Sequence, residues 1–156
     1  MTEMQKPFTE KVRRVLTSVN KDGKSYVMAD SEPNDVLILN GCRMVRLWQT
    51  DQVPTTVPAK SDATEPGLGR MPQQFNGTRF YTAELPPGTK IPLHKGDTVD
   101  YIGVVKGQLT LGLETKELTL NPGDTVVQTG NMHGWENRGT VSCLIMVCVI
   151  GATRQS

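Results

Sequence analysis

Residues 98–128, TVDYIGVVKGQLTLGLETKELTLNPGDTVVQ, decide the fold. Polar and apolar residues alternate in short runs, and Lys106-Gly107, Thr115-Lys116 and Asn121-Pro122-Gly123-Asp124 separate the runs. A period of two marks strands with one buried face, and tight turns of this kind join antiparallel neighbours. The pattern extends in both directions. Upstream lie RFYTAEL (79–85), the turn PPGTK (86–90) and IPLH (91–94); downstream lie TGNM (129–132), HGWEN (133–137), RGT (138–140) and VSCLIMVCVI (141–150). Short antiparallel strands in this order can close on themselves and so remove exposed edges. The expected class is all-β, a sandwich or barrel, with helix nearly absent.

Before this core, VRRVLTSV (12–19), NKDG (20–23) and KSYVMAD (24–30) predict a hairpin, since Asp22-Gly23 suits the positive φ angles of a tight turn. A further strand, VLILNGCRMVRLWQT (36–50), is interrupted at Asn40-Gly41. Residues 52–77 are rich in Pro, Gly and small polar residues and have no period, which predicts a long surface loop covering a barrel mouth. The expected organisation is one domain over 1–156: N-terminal strands to 51, the loop, and a core over 78–151.

The charge balance excludes some classes of partner. Seventeen Lys and Arg against sixteen Asp and Glu give +1, with the basic residues scattered, so no nucleic acid or anionic membrane is expected as a partner. MTEMQKPFTEKVRR has no apolar stretch of signal-peptide length, and no run reaches the length of a membrane span, so a soluble, cytoplasmic protein is expected. Cys42, Cys143 and Cys148 lie in apolar runs without metal-type spacing and are expected to be buried, reduced thiols. VSCLIMVCVI is apolar on both faces, which predicts that an identical chain covers its outer face in a homodimer.

Two histidines are all the chain has, His94 in PLHKGDTVDY (92–101) and His133 in QTGNMHGWEN (128–137). Side chains alternate across a strand, so His94 and Asp100 share a face if one strand, even a bent one, carries both, as do His133, Trp135 and Asn137. Two imidazoles and a carboxylate converging inside an apolar barrel support two chemistries. As acids and bases they can move protons near neutral pH. As ligands they form the two-histidine, one-carboxylate set that holds a non-haem iron with open positions. The plain alternative is that both histidines satisfy hydrogen bonds in the core.

Other residues are candidates for substrate contacts. Gln128 ends a strand and can offer its amide to a substrate or to backbone. Trp135 can form an aromatic wall, and Trp48 either another wall or core packing. Arg79 shares a face with Tyr81: pointing inward it would clamp a substrate carboxylate, and pointing outward, the favoured orientation, it is a solvated edge charge. Arg46, with the parity of Trp48, poses the same question. Tyr101 should point away from the interior.

From about Arg79 to Ile150 the chain resembles a single-domain cupin, a small antiparallel jelly-roll β-barrel. The first cupin block corresponds to Gly88, His94, Asp100 and Gly107, the second to Gly123-Asp124, Thr129-Gly130, His133 and Asn137. Gly96 stands where the family has its second histidine, Asp100 replaces a glutamate, and the second block lacks its proline and is one residue shorter before His133. The family's three-histidine, one-glutamate metal site therefore cannot form. The set His94, Asp100 and His133 remains as a candidate for iron, zinc, manganese or nickel, with no metal equally open. The altered first block is similar to that of small cupins in specialised-metabolite pathways. That resemblance implies a lyase acting by decarboxylation, dehydration or cyclisation on a small organic acid or polyketide-like aromatic. A non-haem iron dioxygenase and a non-catalytic ligand-binding barrel are the alternatives.

Overall fold

The computed structural model describes residues 8–64 and 75–155. Twelve strands carry the described fold: β1 Arg14–Val19, β2 Ser25–Ser31, β3 Val36–Leu39, β4 Cys42–Thr50, β5 Thr78–Leu85, β6 Lys90–His94, β7 Thr98–Lys106, β8 Leu109–Gly112, β9 Glu117–Leu120, β10 Thr125–Thr129, β11 His133–Glu136 and β12 Cys143–Gly151. They form a six-stranded sheet in the order β10-β7-β12-β5-β4-β3, a four-stranded sheet in the order β6-β11-β8-β9, and the separate hairpin β1-β2. Every pairing between these strands is antiparallel. The all-β jelly-roll fold expected above is what the chain adopts. Among the described residues no helix is long and apolar enough to cross a membrane.

The two larger sheets pack face to face. Ala83, Leu85, Ile102, Val104, Ile145, Val147 and Val149 from one sheet meet Leu109, Leu111, Leu120 and Trp135 from the other in a single apolar cluster. These are alternate residues of their strands, as a period of two requires. Asn137 closes one end of the barrel rather than lining its interior. Fully buried, it donates through Nδ2 to the carbonyls of Leu85 (2.7 Å) and Val141 (2.9 Å) and accepts from Gly139 N–H (2.9 Å).

Turn chemistry explains the connections. In the β1-β2 hairpin only Gly23 takes a positive φ, 73°, while Asn20 Oδ1 accepts from the backbone of Asp22 and Lys24. Residues 36–50 are not one interrupted strand. Asn40 and Gly41 both have positive φ, 53° and 75°, the signature of a two-residue hairpin turn, so β3 folds back on β4.

The long loop is placed in part. Residues 65–74 of the expected surface loop lie outside the described residues. Its first half packs on the β1-β2 hairpin, where Arg14 Nη1 donates to Asp62 Oδ1 (3.0 Å) and Thr64 Oγ1 (2.9 Å). Its end returns to the barrel at Phe75, whose carbonyl would lie 1.7 Å from a Cβ at position 151, so only Gly151 fits there.

The expectation that both faces of β12 avoid water does not hold for the single chain. Met146 is 40% exposed, and Cys148 lies in a cross-strand row on the outer face that runs Phe80, Cys148, Tyr101, Val127. Tyr101 points away from the interior, as expected. Cys42 and Cys143 are buried free thiols, pushed by burial up to about 12 and about 11; Cys148, set toward the outer face, is only partly buried.

Candidate active site

A cavity of about 670 Å³ lies between the two sheets. Met44, Leu85, Ile102, Ile145 and Val147 supply apolar wall, and His94, Asp100 and His133 supply the polar groups. Strand register explains their convergence. In the six-stranded sheet Val149 is opposite both Arg79 and Asp100, and Asp100 is opposite Gln128, so this row shares the inward face. In the four-stranded sheet His94 and His133 are direct Cα partners on β6 and β11. The carboxylate thus comes from one sheet and both imidazoles from the other.

The two imidazole centroids are 4.3 Å apart, with planes tilted by 57°. His94 Nδ1 is 2.8 Å from the carbonyl of Pro92, and His133 Nδ1 is 2.9 Å from the carbonyl of Asn131. A carbonyl oxygen only accepts, so each Nδ1 carries the hydrogen and donates it. In the neutral rings Nε2 then holds the lone pair. His133 is buried and His94 is exposed, which gives one interior and one solvent-facing base.

Burial separates the protonation behaviour of the interior groups from that of free side chains. It raises Asp100 above its ordinary 3.8; a hydrogen bond from Thr98 and the two nearby histidines oppose the shift. Burial lowers His133 below its ordinary 6.5, and His94 adds to that, against the Asn131 bond and Asp100. The interior thus favours a neutral imidazole and a carboxyl that retains its proton more readily than usual. Asp100 Oδ1 is buried with no hydrogen-bond partner among the described residues. Trp135 stands edge-on to His133, with centroids 6.0 Å apart, and lines the cavity; Tyr81 also lines it, its hydroxyl held in the neutral form by burial.

Four expected substrate contacts are placed elsewhere. A β-bulge between Arg46 and Trp48 shifts the register, so Trp48 lies opposite the outward-facing Phe80 and not on the cavity wall. Arg46 is buried in an ion pair with Asp35, and its Nη1 donates to Gln49 Oε1 (3.0 Å). Arg79 is no solvated edge charge: it is 7% exposed, and its Nε donates to the same Gln49 oxygen at 3.0 Å. Gln128 faces inward beside Asp100 but does not line the cavity.

As a metal set, His94, Asp100 and His133 do not fit. Among the described residues no three His, Cys, Asp or Glu side chains are grouped to hold a metal ion. Asp100 projects from the opposite sheet and is one methylene shorter than glutamate. Two nitrogen donors remain, one fewer than the three protein ligands of an ordinary catalytic site.

Sequence reasoning missed Arg154. It follows β12, lines the cavity, and donates from Nε to Asp97 Oδ1 at 2.6 Å. No periodic signal marks a residue beyond the last strand.

Residues 81–150 match the family described as Cupin domain. The chain is 27% identical over 136 residues to a "Cupin-domain-containing oxidoreductase srdD" of Neurospora crassa, which covers 84% of this chain and 69% of that protein. It is 26% identical over 135 residues to a "Cupin-domain-containing oxidoreductase fogC" of Aspergillus ruber, with 81% and 64% covered. The chain thus spans about two thirds of the length of these curated relatives. Among solved structures, the Schizosaccharomyces pombe Cnp3 cupin domain superposes with a TM-score of 0.57 at 10% identity, over 91% of this chain and 89% of that one.

Proposed function

From the match of residues 81–150 to the cupin domain family, we propose that the chain is a small-molecule lyase working by acid-base chemistry inside its barrel. One observation carries this reading: a buried imidazole with its Nε2 lone pair free shares the cavity with a half-buried carboxyl, and burial moves the two in opposite directions. In an elimination of water, His133 Nε2 takes a proton from the carbon next to an electron-withdrawing group. The C–O bond at the neighbouring carbon breaks, and Asp100 gives its proton to the departing hydroxyl. A C=C bond and water result; His94, beside His133 and open to solvent, passes the His133 proton to the medium, and Asp100 takes a proton back from it, which restores both groups. Apolar walls exclude bulk water and suit an aromatic or alicyclic body.

Oxidoreductase activity is the second reading. The relatives named above bear that description. The two imidazoles alone fall one donor short of an ordinary catalytic metal site. We also infer that a second copy of the chain covers the outer row Phe80, Cys148, Tyr101 and Val127.

A panel of β-hydroxy and β-oxo aromatic acids, followed by mass spectrometry for loss of water or CO2, tests the lyase reading. Turnover by the wild type, its loss in His133→Ala and a large fall in Asp100→Asn are expected. Full turnover in both variants would remove the trio from the mechanism.

A further inference from the structure

The cavity mouth carries a cationic arrangement that the acid-base chemistry above does not use. Arg154 Nη2 donates to the carbonyls of Gly96 (3.0 Å) and Gly130 (3.1 Å), and its Nε holds Asp97. Gly96 and Asp97 belong to the loop between β6 and β7, which joins His94 to Asp100. Gly130 belongs to the loop between β10 and β11, which ends at His133 and includes Asn131, whose carbonyl takes the His133 Nδ1 hydrogen. One guanidinium thus links both loops that aim the polar trio. Its Nη1 has no hydrogen bond among the described residues, and Lys95, also on the cavity wall, has no ion pair there. The mouth therefore presents two cations to the single carboxylate of Asp97, while Arg46 and Arg79 are held away from the cavity.

We propose that Arg154, assisted by Lys95, recognises a carboxylate on the substrate at the mouth of the cavity and directs its apolar body toward His133 and Asp100. This rests on the reading of the cavity as the substrate chamber and narrows it. The remaining Nη1 of a guanidinium and an ammonium stabilise a carboxylate as the anion. A carboxylate held in that way is kept from leaving as CO2, which favours loss of water deeper in the cavity over decarboxylation. The substrate class is then a hydroxylated small acid with an apolar ring or chain.

Two probes of one shape test the assignment: 2-naphthoate, an anion, and 2-naphthamide, its neutral counterpart. Calorimetry on the full chain gives their affinities, and the imidazole resonances of His94 and His133 report entry into the cavity. Both probes should shift those resonances, with naphthoate bound about tenfold more tightly by the wild type. Arg154→Gln should bring the two affinities together by weakening naphthoate alone, and Arg154→Lys should restore part of the preference. An undiminished preference in Arg154→Gln would overturn the proposal. So would a parallel loss of both probes in Arg154→Gln and Arg154→Lys, which would reduce Arg154 to a support for the loops. If neither probe moves an imidazole resonance, the chamber itself is misassigned, and the proposal falls with it.

Discussion

His94 and His133 face each other as direct strand partners, with ring centroids 4.3 Å apart, and each gives its Nδ1 hydrogen to a backbone carbonyl two residues earlier. The loop before β11 and the backbone of β6 itself therefore decide the tautomer of both rings. Nitrogen-15 spectra at pH 8 should show both histidines with the hydrogen on Nδ1. A hydrogen on Nε2 of His133 would remove the base from the elimination described above.

The shifts of Asp100 and His133 have opposite consequences for stability. Folded Asp100 keeps a proton that the unfolded chain has lost, from about its ordinary 3.8 upward, so its contribution is present below that pH and is lost as pH rises through the folded value. Folded His133 resists protonation, so its contribution is present above 6.5 and is lost as pH falls. Urea midpoints should show Asp100→Asn gaining on the wild type between pH 4 and pH 7. His133→Gln should lose less than the wild type on acidification from pH 7 to pH 5. Differences that stay flat with pH would contradict both directions.

Gln128 is 2% exposed, and neither atom of its amide has a hydrogen-bond partner among the described residues. Burying an amide in that way costs free energy that an apolar side chain of similar length does not lose. Gln128→Met should stabilise the fold by about 1 kcal/mol in chemical denaturation. Destabilisation of that size would show that the amide is satisfied in solution.

The outer face of the large sheet bears on assembly. Tyr101, 50% exposed, lies in the apolar row that crosses β5, β12, β7 and β10. Light scattering should give twice the 17.2 kDa of one chain, and Tyr101→Glu should return the mass to a single copy without lowering the unfolding midpoint. A wild-type monomer at micromolar concentration would contradict the dimer.

Alternation along a strand is a local property, which is why parity put His133 and Trp135 on one face and Tyr101 outside; His94 and Asp100, expected on one strand, lie on β6 and β7 of different sheets and meet because the two sheets pack face to face. The bulge at Leu47 inserts one residue into β4, and a count of odd and even positions cannot anticipate such an insertion; Trp48 was misplaced for that reason. Arg46 and Arg79 fail as substrate clamps because Asp35 and Gln49 engage them, a pairing that depends on how β3, β4 and β5 align. Arg154 escaped notice because its role arises from two loops distant in sequence meeting beyond the end of β12.

Removal of metal is the most direct test of acid-base chemistry by His94, His133 and Asp100. The protein, purified without chelator or affinity nickel, would be assayed for metal content and for turnover of its best acid substrate before and after exhaustive chelation. Turnover unchanged by chelation and abolished in His133→Ala is the expected result. About one firmly held metal per chain, with turnover lost on its removal and restored by its return, would contradict the account and put the oxidoreductase reading first.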